Sequence, residues 1–168
     1  MDDIRDSLWN SAIDQSAYGD TASYQNAVFE QYKLCVEMAD RVSARRNLSN
    51  TFFLALNSAI VTVLTAAFRE AHSQVSVWLL LPGLVIIVSV CAAWFALVRS
   101  YRLLNGAKFT VIGALEERLP AYAYSRAEWR ALGEGRDWHR YLPLTHIEQW
   151  IPVIFAVAYL VGFFSVVL

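Results

Sequence analysis

The stretch VWLLLPGLVIIVSVCAAWFALV, residues 77–98, decides the fold. It carries no charged side chain from end to end. A helix of that length measures about 33 Å, a little more than the ~30 Å hydrocarbon core of a bilayer. Two further runs accompany it, TFFLALNSAIVTVLTAAF over 51–68 and IPVIFAVAYLVGFFSVVL over 151–168, both uncharged throughout. A helix satisfies its own backbone hydrogen bonds in lipid, so all three read as transmembrane helices. A soluble domain of 168 residues could not cover three such helices.

The rest of the chain agrees with that reading. Hydrophobic residues make up 57% and charged residues 17%, an apolar excess over ordinary soluble domains. Net charge is −1, so no basic field invites nucleic acid. Cys35 sits in a polar stretch and Cys91 in an apolar one, which excludes a disulfide framework and suits a reduced, cytoplasmic polar part. The polar segment 1–50 lacks a basic-then-apolar start, so span one is expected to serve as its own insertion signal.

Basic residues set the expected orientation. Thirteen of them precede span one or lie between spans two and three, and only Arg69 lies in the short 69–76 turn. The positive-inside rule then puts the N-terminus and the long loop in the cytoplasm, with the C-terminus external. Trp78, Trp150 and Tyr101 stand at headgroup depth, as interfacial aromatics do, whereas Trp94 lies slightly deeper and suits the interface or packing equally. Arg45-Arg46, just before span one, are expected to contact lipid headgroups.

The expected layout follows from these boundaries. Residues 1–22 form a flexible polar tail and 23–50 a cytoplasmic amphipathic helix with Val28, Tyr32, Cys35, Ala39 and Val42 on one face. Transmembrane helix 1 covers 51–68, an external turn 69–76, transmembrane helix 2 77–98 and a cytoplasmic helical extension 99–119. No Gly or Pro separates the first amphipathic stretch from span one, so a near-continuous helix is expected there. A cytoplasmic loop over 120–147 holds a short helix near 125–132, with Ser125 and Glu128 in capping-box spacing, and transmembrane helix 3 covers 148–168. The loop aromatics Tyr122, Tyr124, Trp129, Trp138 and Tyr141 are candidate partner contacts, suited to hold the loop on its own helices or on another protein.

Span one is amphipathic within the membrane. At 100° per residue, Thr51, Ser58, Thr62 and Thr65 fall within about 60° of one another, with Phe53, Leu56, Ile60 and Leu64 opposite. Such hydroxyls either glue one helix to the next or line a water-filled path. Three spans in one chain cannot enclose a pore, so the second role requires a ring of copies. Asn57 falls off the stripe and is expected to seek a partner on another helix.

Candidate chemistry is sparse, and neither catalytic residues nor a cofactor or metal is expected. His72, His139 and His146 carry no regular ligand spacing, and Gly133-Glu134-Gly135 is no nucleotide fingerprint. Glu116 and Glu117 point about 100° apart on a helix and read as a solvated face rather than a carboxylate pair.

Two segments carry a family likeness. One is EQYKLCVEMADRVSARR over 30–46, leading into NTFFL at 50–54. The other is RSYRLLNGAKF over 99–109, continuing through Leu119-Pro120 and Glu128-Trp129 to LTHIE at 144–148. Together they resemble the RipA family of small octameric bacterial inner-membrane proteins, and more distantly the SLATT-like small membrane effectors, which usually have two spans. The resemblance implies a homo-oligomeric ring, an octamer, in contact with membrane lipids. It supplies no reaction. The fold class expected is therefore all-α, with three transmembrane helices and long helical cytoplasmic extensions in a ring. Its function would be a non-enzymatic pore or scaffold with a helical collar, the alternative being an accessory subunit that recruits an unidentified protein partner through its aromatic loop.

Overall fold

The computed structural model describes residues 4–13, 15–70, 77–136 and 144–167. Five α-helices occur among them: α1 (Ile4–Leu8), α2 (Thr21–Glu70), α3 (Val77–Glu116), α4 (Trp129–Ala131) and α5 (Leu144–Val167). No strand is present among the described residues. Three of the helices, within Thr21–Ala67, Leu80–Glu116 and Ile147–Val167, are long and apolar enough to cross a membrane.

The start of α2 has a clear local cause. Gly19 turns the chain at a φ of +80°, and the Asp20 carboxylate then accepts the Ser23 amide at 2.7 Å. That N-cap satisfies one of the orphan donors of the first turn and holds the Asp20 carboxyl below its usual pKa. From there α2 runs 50 residues without a break into span one. Helix α3 continues through Pro82 and passes well beyond span two.

Contacts divide the chain into two compact units. A polar unit comprises Met1–Ala44 and Leu103–Leu142, and a membrane unit comprises Arg45–Arg102 and Pro143–Leu168. In the polar unit, Val28, Ala39 and Val42 of α2 are buried, as are Ile112, Ala114 and Leu115 of α3. Three residues of the apolar stripe on α2 are thus packed, while Tyr32 and Cys35 are half-buried. In the membrane unit, Cys91, Trp94 and Val98 of α3 are buried, and Asn57 of α2 meets both Cys91 and, on α5, Tyr159. Trp94 lies parallel to the Phe53 ring, centroids 5.7 Å apart, so it is a packing residue and not an interfacial one.

Short segments occupy the region expected to be a polar tail. Besides α1, a 3-10 turn spans Gln15–Tyr18. Arg5 of α1 pairs with Glu117, Nε to Oε2 at 2.8 Å, and the Arg118 guanidinium lies 3.4 Å from the centre of the Trp9 ring. The loop after α3 also differs from expectation. A π-helical turn over Ala123–Glu128 leads into α4, with no side-chain cap at its start. Ser125 is inside this turn and its hydroxyl is used elsewhere, so the Ser125–Glu128 capping box does not form.

Candidate functional site

Within the membrane unit, one amide organises all three spans. Asn57 is wholly buried. Its Oδ1 accepts from the Tyr159 hydroxyl at 3.1 Å and from the Cys91 thiol at 3.5 Å. Its Nδ2 donates to the Phe53 carbonyl one turn back at 2.8 Å, and the Tyr159 hydroxyl also reaches the Asn57 carbonyl at 3.1 Å. Asn57 therefore finds the interhelical partners expected of it. An amide oxygen is no base for a thiol, so this cluster ties α2, α3 and α5 together rather than preparing a nucleophile. Two turns toward the N-terminus of α2, Asn50 repeats the device by accepting the Trp94 indole N–H at 3.0 Å.

Two arginines tie the other helices to α5 in the same unit. Arg46 Nε lies 3.4 Å from Glu148 Oε2, with both side chains largely covered, and Arg102 donates to Gln149 Oε1 at 2.8 Å. The expectation for Arg45-Arg46 is thereby split. Helix geometry turns the two about 100° apart. Arg45 faces outward where a headgroup could meet it, while Arg46 turns inward to Glu148.

The hydroxyl stripe lies on another face of α2. Thr51, Ser58, Thr62 and Thr65 are all exposed in the single chain. Thr51, Thr62 and Thr65 each donate to a carbonyl one turn back at 2.8–2.9 Å, which uses the hydroxyl proton and leaves the oxygen able only to accept. Thr65 also borders a mostly apolar cleft of about 570 Å³ with Val61, Leu84, Tyr159, Phe163 and Ser165.

The polar unit has a hub of its own, at a residue read as solvated. Glu116 is wholly buried, and only Glu117 faces outward, to Arg5. The Glu116 carboxylate accepts the Tyr124 and Ser125 amides at 2.9 Å each, the Ser125 hydroxyl at 2.5 Å and the Tyr32 hydroxyl at 3.3 Å. Burial alone would raise its pKa. The donors from Ser125, Tyr124 and Tyr32 outweigh that and hold the carboxyl below its ordinary value. Burial, and then the Glu116 charge, push the Tyr32 phenol up to about 12, so it stays a donor. Close approach makes the arrangement possible: a Cβ on Gly113 would stand 3.2 Å from the Ser125 Cβ.

The loop aromatics divide. Tyr124 meets Phe109 of α3 edge to face, centroids 6.3 Å apart, and Tyr122 lies under the Arg126 guanidinium at 3.9 Å. Trp129 is about half exposed and rests on Gly135, where a φ of +70° favours glycine and a Cβ would stand 3.2 Å from the ring. Trp138 and Tyr141 lie outside the described residues, as do His72, His139 and the His146 side chain. Among the described residues no group of His, Cys, Asp and Glu is placed to hold a metal ion.

Three spanning helices joined through buried amide, hydroxyl and indole groups define a multi-pass helical membrane protein. A family model described as the octameric membrane protein family (8xMP) matches residues 29–168, and the chain belongs to that family. It is thus a member of a family of homo-oligomeric membrane proteins, as the likeness in its sequence implied, although the match carries neither the RipA nor the SLATT name. No curated protein and no solved structure matches the chain.

Proposed function

We propose that the protein is a non-enzymatic ring of identical copies in the bacterial inner membrane that encloses an aqueous path lined by span one. The observation that carries this reading is the face left over by the packing of α2. Asn57 commits one side of span one to α3 and α5, while Thr51, Ser58, Thr62 and Thr65 stand exposed on the single chain. No Asp, Glu, Lys or Arg occurs within 51–68, 77–98 or 151–168, so the path would pass water or ions without a proton-carrying carboxylate. The basic residues on either side of the spans favour a cytoplasmic N-terminus and an external C-terminus. The polar unit would then form a cytoplasmic collar.

The test is the double variant Ser58→Leu/Thr62→Leu. Ion flux into liposomes loaded with a fluorescent indicator is expected to fall at least about tenfold, with particle mass unchanged. Unchanged flux would remove the pore and leave a scaffold. The half-exposed Trp129 favours a second reading, an accessory subunit that recruits another protein. On that reading, Trp129→Ala loses a co-purifying protein and leaves the self-assembly state as it was.

A further inference from the structure

We infer that an apolar groove between α2 and α3 in the polar unit is the seat of a second copy of this chain, one of the two surfaces by which each copy joins its neighbours. The groove holds about 300 Å³ and is lined by Leu34, Cys35 and Met38 of α2 and by Ala107, Lys108 and Val111 of α3. Helix spacing makes it continuous: 34 and 38, and 107 and 111, are successive turns of their helices. Leu103 and Leu104, one turn before Ala107 and Lys108, extend the same face and are exposed. Leu34 is 59% exposed and Met38 43%.

Three observations identify the occupant. First, on the span bounds read from the uncharged runs 51–68 and 77–98, the groove lies outside the spans, Met38 coming well before the first run and Ala107 well after the second. Acyl chains therefore do not cover it, and large aliphatic side chains clustered in water mark an interaction surface. Second, another face of α3 is already covered by the chain itself, through Ser125 against Gly113 and Tyr124 against Phe109. The groove is the face this loop leaves open. Third, the chain belongs to an octameric family. Closing eight copies into a ring needs two different surfaces on each copy, because the contact is head-to-tail. This inference rests on the ring proposed above and not on its conducting anything.

Native mass spectrometry of the detergent-solubilised full chain, combined with thiol labelling, tests it. Cys35 lines the groove and Cys91 is buried in the membrane unit, so a maleimide reports on Cys35. In the wild-type octamer, Cys35 is expected to label at least about tenfold more slowly than in the dispersed chain, that factor corresponding to about 1.4 kcal/mol of opening. Leu34→Glu/Met38→Glu changes only exposed positions in the single chain, so helicity by circular dichroism should persist. The octamer should give way to smaller species, while Asp40→Arg, exposed on another face of α2, leaves it intact. An octamer that survives both glutamates with Cys35 freely labelled would overturn the assignment. So would Cys35 protection that is equal in octamer and dispersed chain, because the chain would then be covering its own groove. Should the double variant fail to fold, the wild-type labelling ratio still decides. A wild-type particle that is not a closed octamer is the distinct outcome in which the ring itself fails.

Discussion

Asn57→Ala is expected to destabilise the membrane unit by about 2 kcal/mol, the combined size of a small cavity and a lost buried acceptor, measured by denaturant titration in bicelles or mixed micelles. Two effects add at this position. The side chain is wholly buried where α2, α3 and α5 meet, so truncation leaves a void that packed helices fill only in part. It also removes the acceptor shared by Tyr159 and Cys91. Interhelical hydrogen bonds in membranes contribute about 0.6 kcal/mol on average and at most about 1.7 kcal/mol, so they alone do not reach the total. Tyr159→Phe, which keeps the ring and removes only the hydroxyl, should cost about 1 kcal/mol. The double variant should cost less than the sum of the two, because each single change already breaks the Tyr159–Asn57 side-chain bond. The contrast with the stripe makes this sharp. Ser58→Leu, one residue further along α2 on an exposed face, should change stability by less than about 0.5 kcal/mol. If Asn57→Ala and Ser58→Leu cost the same, Asn57 is not the tie between the spans.

The difference between Asn57 and Glu116 explains which parts of the molecule the sequence disclosed. A lone amide inside an uncharged run has few places to go, since lipid offers it no partner. Its search for another helix is therefore legible from one chain. The spans are legible for the same reason: uncharged runs as long as 51–68, 77–98 and 151–168 have few stable settings other than a bilayer. The packed face of α2 was legible too, because Val28, Ala39 and Val42 recur at helical spacing and are buried. Water gives a charged residue many more options. Glu116-Glu117 at a helix end resembles any solvated pair, and what buries one of them is a loop returning at Tyr124 and Ser125. That return depends on Gly113, whose missing side chain admits Ser125, and a glycine in a helix has many readings. Ser125 misled for a related reason. Ser-x-x-Glu spacing is common to capping boxes and to segments where the serine hydroxyl serves a distant carboxylate, and only tertiary contact separates them. Arg45-Arg46 looks like a single basic site because adjacency in sequence hides the angle between the two side chains.

Glu116→Ala should release the loop that this carboxylate holds, and trypsin is the direct readout. Arg126, Arg130 and Arg136 are exposed but lie in backbone tied down through the Tyr124 and Ser125 amides. Protease cuts such a segment from its opened state, so cleavage follows the free energy of opening. Hydrogen bonds to a charged acceptor contribute about 1.5–3 kcal/mol each, and removing this acceptor leaves two part-buried amides without it. Cleavage in the loop should then accelerate by at least about tenfold, since each step of about 1.4 kcal/mol is a factor of ten. Glu117→Ala, which breaks the exposed pair with Arg5, should leave the rate within about twofold. The pH dependence has a definite sign. Because the folded-state pKa of Glu116 is lowered, its stabilisation is fully present above the ordinary carboxylate value near about 4.3 and is lost as pH falls through the lower folded value. The difference in melting temperature between wild type and Glu116→Ala should be flat from neutral pH down to about 5 and shrink only below that. A gap that widens on acidification would mean that the protonated carboxyl is the form the loop holds. The hydrogen bonds argue against this: two of the donors are backbone amides, and amides reward a carboxylate that stays charged.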